Sequence, residues 1–126
     1  MSLSVKVFVV GADGERQVQD VPDGCSDVAG PESWRTRVWG SEVVRSLGAE
    51  FLPILADADL QVEPEQVPAF LRECLLLREN LERIVAGMTE PVMSNREPRT
   101  AISDRLANIE NAAGRARAMG GGVLVW

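Results

Sequence analysis

The stretch Val5-Lys6-Val7-Phe8-Val9-Val10, followed at once by Gly11-Ala12-Asp13-Gly14, decides the fold class. β-Branched and aromatic side chains suit a pleated backbone, and an Asp-Gly pair accepts the positive φ angles of a tight hairpin. A first strand over 5–10 and a turn are therefore predicted. Apolar groups stand on both faces of that strand, as a central position requires. The return segment 15–21 is more polar and ends at Pro22-Asp23-Gly24, which fits an edge strand with one wet face. Far along the chain, Val123-Leu124-Val125-Trp126 reads as another short strand behind three glycines, most simply placed beside the first.

Helical periodicity fills the space between these strands. Val67, Phe70, Cys74, Leu77, Leu81 and Ile84 stand three and four residues apart, so a helix over 64–86 carries all six on one stripe, with Gly87 as its stop. Ile102, Leu106, Ile109, Ala113 and Ala116 repeat the spacing over 98–119. Weaker signals start near Ser33, where Trp34 and Val38 are four apart, and after Ser41 with Val43, Val44 and Leu47; Pro53 suits the first turn of a short helix. The turn-forming residues of 23–31 read as a loop. The segment 87–98, with two prolines and no period, reads as a long mobile connection that trypsin would enter at Arg96 or Arg99.

These elements predict one domain over 1–126 of α+β class: a small, mainly antiparallel sheet, made of the N-terminal hairpin and the C-terminal strand, packed against three or more helices. The alternative is a helical bundle with a separate N-terminal hairpin. A chain of 126 residues with 45% hydrophobic and 25% charged residues has the balance of a folded domain.

The formal charge of −6 opposes binding to nucleic acid or anionic lipid, both of which need clustered cations. No stretch reaches the length of a membrane span, and the first residues lack the order of a signal peptide, so the expected location is cytoplasmic. Cys25 and Cys74 are too few for a disulfide framework and are expected as reduced thiols.

The chain contains no histidine and no tyrosine, which excludes Ser-His-Asp and Cys-His catalysis and every His-liganded metal site. Lys6, the only lysine, sits among valines with no second cation to lower its pKa. Cys25 lies beside Asp23 and Asp27, which disfavour a thiolate, and Cys74 falls in the apolar stripe. Asp57, Asp59, Glu63 and Glu65 lie within nine residues but lack the spacing of a calcium loop; a solvated loop leading into a helix is the simpler reading. No cofactor or tightly held metal is expected. The glycines around Asp13 lack phosphate-loop spacing.

The function expected from these features is a non-catalytic acidic protein-binding module, of inhibitor, antitoxin-like or immunity-like kind. Asp57, Asp59, Glu63, Glu65, Glu73, Glu79 and Glu82 would steer a basic partner, with Trp34 or Trp39 as anchors if either is exposed. Core packing is the expectation for these tryptophans and for Trp126. A small-ligand sensor or carrier with an apolar cavity is the second reading, and an enzyme working through carboxylates or arginines the third. A homodimer is compatible with all three. Residues 41–87 carry nine acids against four arginines, while the last helical region is locally positive, so the two regions are also set to pair with each other.

Overall fold

In the computed structural model, which describes residues 2–87 and 98–126, β1 (Ser2–Val10) is the spine of a five-stranded antiparallel sheet. One edge of β1 pairs with β2 (Arg16–Val18) in its second half and with β3 (Val28–Pro31) in its first, setting Phe8 opposite Val18 and Ser4 opposite Val28. On the other edge comes β5 (Gly122–Val125), with Val5 opposite Val125 and Phe8 opposite Gly122. β4 (Leu60–Val62) closes that side, Leu60 lying opposite Val125. The hairpin, the central first strand and the C-terminal strand beside it stand where the residues predict them.

Two strands lie where loops are expected. β3 occupies the end of 23–31, where Gly30 at φ 108° accepts the ring of Trp34 in the space a β-carbon would fill. β4 lies inside the acidic run. Its Leu60 and Val62 are buried and Gln61 between them is exposed, a period of two too short to stand out among acids.

Among the described residues four α-helices, α1 (Glu42–Ser46), α2 (Val67–Glu79), α3 (Leu81–Ala86) and α4 (Pro98–Met119), pack with the sheet in an α+β architecture. The region 33–40 forms a wide π-type turn at Arg35–Trp39, and Leu52–Ala56 a 3₁₀ turn with Pro53 near its start. The helix expected over 64–86 is divided at Asn80. There the backbone leaves the helical region at φ −120° and ψ 23°, and Nδ2 of Asn80 donates to the Leu76 carbonyl at 2.8 Å. Asparagine competes with the helix for its own carbonyls, so a break at this residue type has a local cause. The stripe survives it, because Val67, Phe70, Cys74, Leu77, Leu81 and Ile84 are all buried. The connection 88–97, with Arg96, lies outside the described residues.

The core forms on one face of the sheet. Leu3, Val5 and Val7 of β1, Leu60 and Val62 of β4, and Val123 and Val125 of β5 meet Phe70 and Leu77 of α2 and Ile102, Leu106 and Ile109 of α4. Trp34 and Trp39 stack edge to face at 5.8 Å, and Trp39 Nε1 donates to the Ala29 carbonyl at 2.9 Å. Among the described residues no helix is long and apolar enough to cross a membrane. Leu77→Ala should cost about 2 to 5 kcal/mol through lost burial and a residual cavity, read from chemical denaturation. A cost near that of an exposed substitution would show the stripe to be solvated.

Candidate interaction surface

The acids predicted to face a partner are divided among different tasks. Glu73 is the clearest departure: it is 7% exposed. Its carboxylate accepts from the backbone N–H of Glu50 at 2.5 Å, Phe51 at 3.0 Å and Leu52 at 2.8 Å, the free amides that open the 3₁₀ turn. It sits on the side of α2 beside Cys74, so the helical period itself turns it inward, and the waiting amides replace its water. Asp59 accepts from Arg35 at 2.7 Å, and the same guanidinium donates to the carbonyls of Leu55 at 3.2 Å and Ala58 at 2.9 Å. Glu63 accepts from Arg16 at 2.8 Å, and Glu82 pairs with Arg99 at 2.5 Å. Asp57, Glu65 and Glu79 are exposed. The acidic helical layer and α4 also pair in the opposite sense, through Arg78 and Glu110 at 2.5 Å.

Trp34 and Trp39 are fully buried and cannot anchor a partner. Trp126, expected in the core, is 42% exposed. Its backbone exchanges both hydrogen bonds with Ser4, at 2.8 and 3.1 Å, which extends the β1–β5 ladder by one residue. Alternation along β5 buries Val123 and Val125 and turns Trp126 to the opposite face. The strand signal was legible in the sequence; which face the last residue takes depends on register alone.

That opposite face is the candidate surface. Val28, Ser4 and Trp126 form one row across it, Lys6, Leu124 and Gln61 a second, Val18, Phe8 and Gly122 a third. Val10 and Arg16 lie beyond. Seven large apolar side chains are exposed among the described residues, and four of them belong to this face: Val10 at 50%, Val18 at 47%, Trp126 at 42% and Val28 at 39%. Phe8 is fully buried on this face. Its ring lies against Gly122, where a β-carbon would collide with it, and the Arg16 guanidinium covers it at 5.4 Å while held by Glu63. Lys6 and Asp27 form a second ion pair at 2.7 Å.

The other chemical candidates stay separate. Cys25 and Cys74 are both unpaired thiols, and burial raises the Cys74 pKa far from the range in which a thiolate forms. Among the described residues no group of three or more His, Cys, Asp or Glu is placed to hold a metal ion. An open depression of about 310 Å³ is lined by Ser41, Glu42, Val43, Ser46 and Gly87. Comparison of the chain with family models, curated proteins and solved structures finds no match.

Three outcomes are expected. Glu73→Ala leaves three amide donors without their acceptor and should cost about 3 kcal/mol or more in denaturant unfolding, whereas Glu73→Gln, which keeps one acceptor oxygen, should cost less. Equal, small losses for both would mean that water replaces the carboxylate. Acrylamide should quench the fluorescence of Trp126 alone, so that Trp126→Phe leaves the emission of the folded protein unquenched. A neutral-pH thiol reagent should modify Cys25 first and reach Cys74 only on unfolding; simultaneous modification would contradict the burial of α2.

Proposed function

We propose that the protein is a non-catalytic protein-binding module whose contact surface is the face of its sheet opposite the core. One observation carries this reading: four of the seven large apolar side chains exposed among the described residues lie on that face, along β1 and on both sides of it. Isolated apolar residues on a surface are ordinary, but two pairs on one rigid ladder, Val10 with Val18 and Val28 with Trp126, the last a large amphipathic anchor, suit a contact surface. Asp57, in the turn after Leu52–Ala56, and Glu65 and Glu79 are exposed away from those pairs and add long-range charge.

Site-specific photo-crosslinking in the producing cell tests the reading. A photoreactive residue at Val18 or Val28 should give discrete protein adducts, and the same residue at Leu75, exposed on α2, should not. Adducts from a Glu65 or Glu79 position instead would move the contact to the acidic layer. Absence of adducts at every position would remove protein binding as the function.

A further inference from the structure

We infer that Asp23–Gly24 is a covalent modification site, where the chain converts its own aspartyl linkage to an isoaspartyl one, and that Asp13–Gly14, the same dipeptide, is held out of this reaction by its hydrogen bonds. The inference is independent of which surface meets a partner. These are the two Asp–Gly pairs of the chain, which has no Asn–Gly pair. Glycine presents its amide nitrogen to the preceding side chain with no β-carbon in the way. The step conserves atoms. The glycine nitrogen attacks Cγ of the protonated aspartic acid, the amide proton leaves with the carboxyl hydroxyl as water, and a five-membered imide closes. Water then opens the ring. Addition at Cγ restores aspartate, whereas addition at the main-chain carbonyl leaves the aspartyl residue joined to glycine through its side chain. The product has a free α-carboxylate and one more methylene in the backbone. Mass is unchanged, and water is the only co-reactant.

In openness the two pairs are equal. Gly14 and Gly24 take φ values of 83° and 82°, both have free space where a β-carbon would stand, and all four residues are exposed. Hydrogen bonding separates them. In the first pair the nucleophile is engaged, because the Gly14 N–H donates to the Gly11 carbonyl at 2.9 Å. The electrophile is engaged too, since Asp13 Oδ1 accepts from the Glu15 N–H at 3.1 Å. The Gly11 N–H donates to the Glu15 carbonyl at 2.8 Å, and the ladder continues with Val10 opposite Arg16, so both ends of this turn are tied. Ring closure there requires Asp13 to leave Glu15 while Gly14 leaves Gly11.

Around Asp23 neither group is engaged. Among the described residues the Asp23 carboxylate has no hydrogen-bond or ionic partner and the Gly24 N–H no acceptor. One bond closes the turn, from the Cys25 N–H to the Pro22 carbonyl at 3.1 Å. A reaction that begins with local opening proceeds faster where fewer bonds must break, so Asp23–Gly24 leads. Acid and amide residues followed by alanine are protected as Gly14 is: the Ala58 N–H after Asp57 donates to the Ile54 carbonyl at 3.0 Å, and Asn111 and Ala112 lie inside α4. The modified linkage enters the chain shortly before Asp27, whose carbonyl accepts from the Val5 N–H at 2.8 Å at the approach to β3.

Ageing of the purified full chain in mildly acidic buffer, warmed short of unfolding, tests the inference; mild acid populates the protonated carboxyl. Trypsin cuts after Lys6, Arg16 and Arg35 and so delivers the two pairs in separate peptides, 7–16 and 17–35. Peptide 17–35 should gain a chromatographic isomer of unchanged mass several-fold faster than 7–16 does. Fragmentation should place the isoaspartyl linkage at Asp23, not at Asp20 or Asp27. In guanidinium chloride, where the hydrogen bonds of Asp13 and Gly14 are gone, the two peptides should convert at comparable rates. Asp23→Glu, whose longer side chain closes the ring far more slowly, should abolish the 17–35 isomer, and Asp13→Glu should leave it. Conversion of 7–16 as fast as 17–35 in the folded chain, a linkage at Asp20 or Asp27, or the same preference in denaturant overturns the inference. So does a folded chain that converts at neither pair over a period in which the denatured chain converts at both.

Discussion

The Glu73 carboxylate, buried and accepting three backbone amides, is the contact on which the arrangement of the middle of the chain depends. An ionised group in the interior is tolerable only where its hydration is replaced in full, and the free amides of Glu50, Phe51 and Leu52 do that. The 3₁₀ turn that follows is held at its far end by opposite charge, because Arg35 donates to the carbonyls of Leu55 and Ala58 and to Asp59. Carboxylate at the amide end and guanidinium at the carbonyl end both favour the local peptide dipoles. Fixed in this way, the segment delivers Leu60–Val62 to the edge of β5.

From that edge the chain of consequences reaches the open face. β4 places Glu63 within reach of Arg16, and Arg16 in turn lies over the ring of Phe8. An aromatic side chain thus becomes fully buried on the face of the sheet opposite the core, with the Arg16–Glu63 and Lys6–Asp27 ion pairs beside it. Within the acidic run, Asp59 and Glu63 tie their segment to Arg35 and Arg16, while Asp57 and Glu65 stay exposed. The apolar residues left uncovered are those at the sheet's corners and rim, which is where a second surface would meet them.

Short-range chemistry was readable from the residues. The β-branched run 5–10 and its Asp-Gly turn announced a strand and hairpin, the three-four spacing from Val67 to Ile84 announced a buried stripe, and the small-residue helix 98–119 has the bounds its pattern implied. Each depends on a period of two or 3.6 residues that one segment carries alone. The C-terminal strand was legible as a strand for the same reason.

What only the tertiary structure decided depends on partners distant in sequence. Glu73 looks solvated until the amides of 50–52 stand before it, and Asp59 and Glu63 look free until Arg35 and Arg16, more than twenty residues away, arrive to pair with them. β3 and β4 are too short to declare a period and exist because β1 and β5 offer ladders. The exposure of Trp126, and with it the candidate surface, follows from register: one residue of slip would have turned that ring into the core, and no local pattern in four residues distinguishes the two faces.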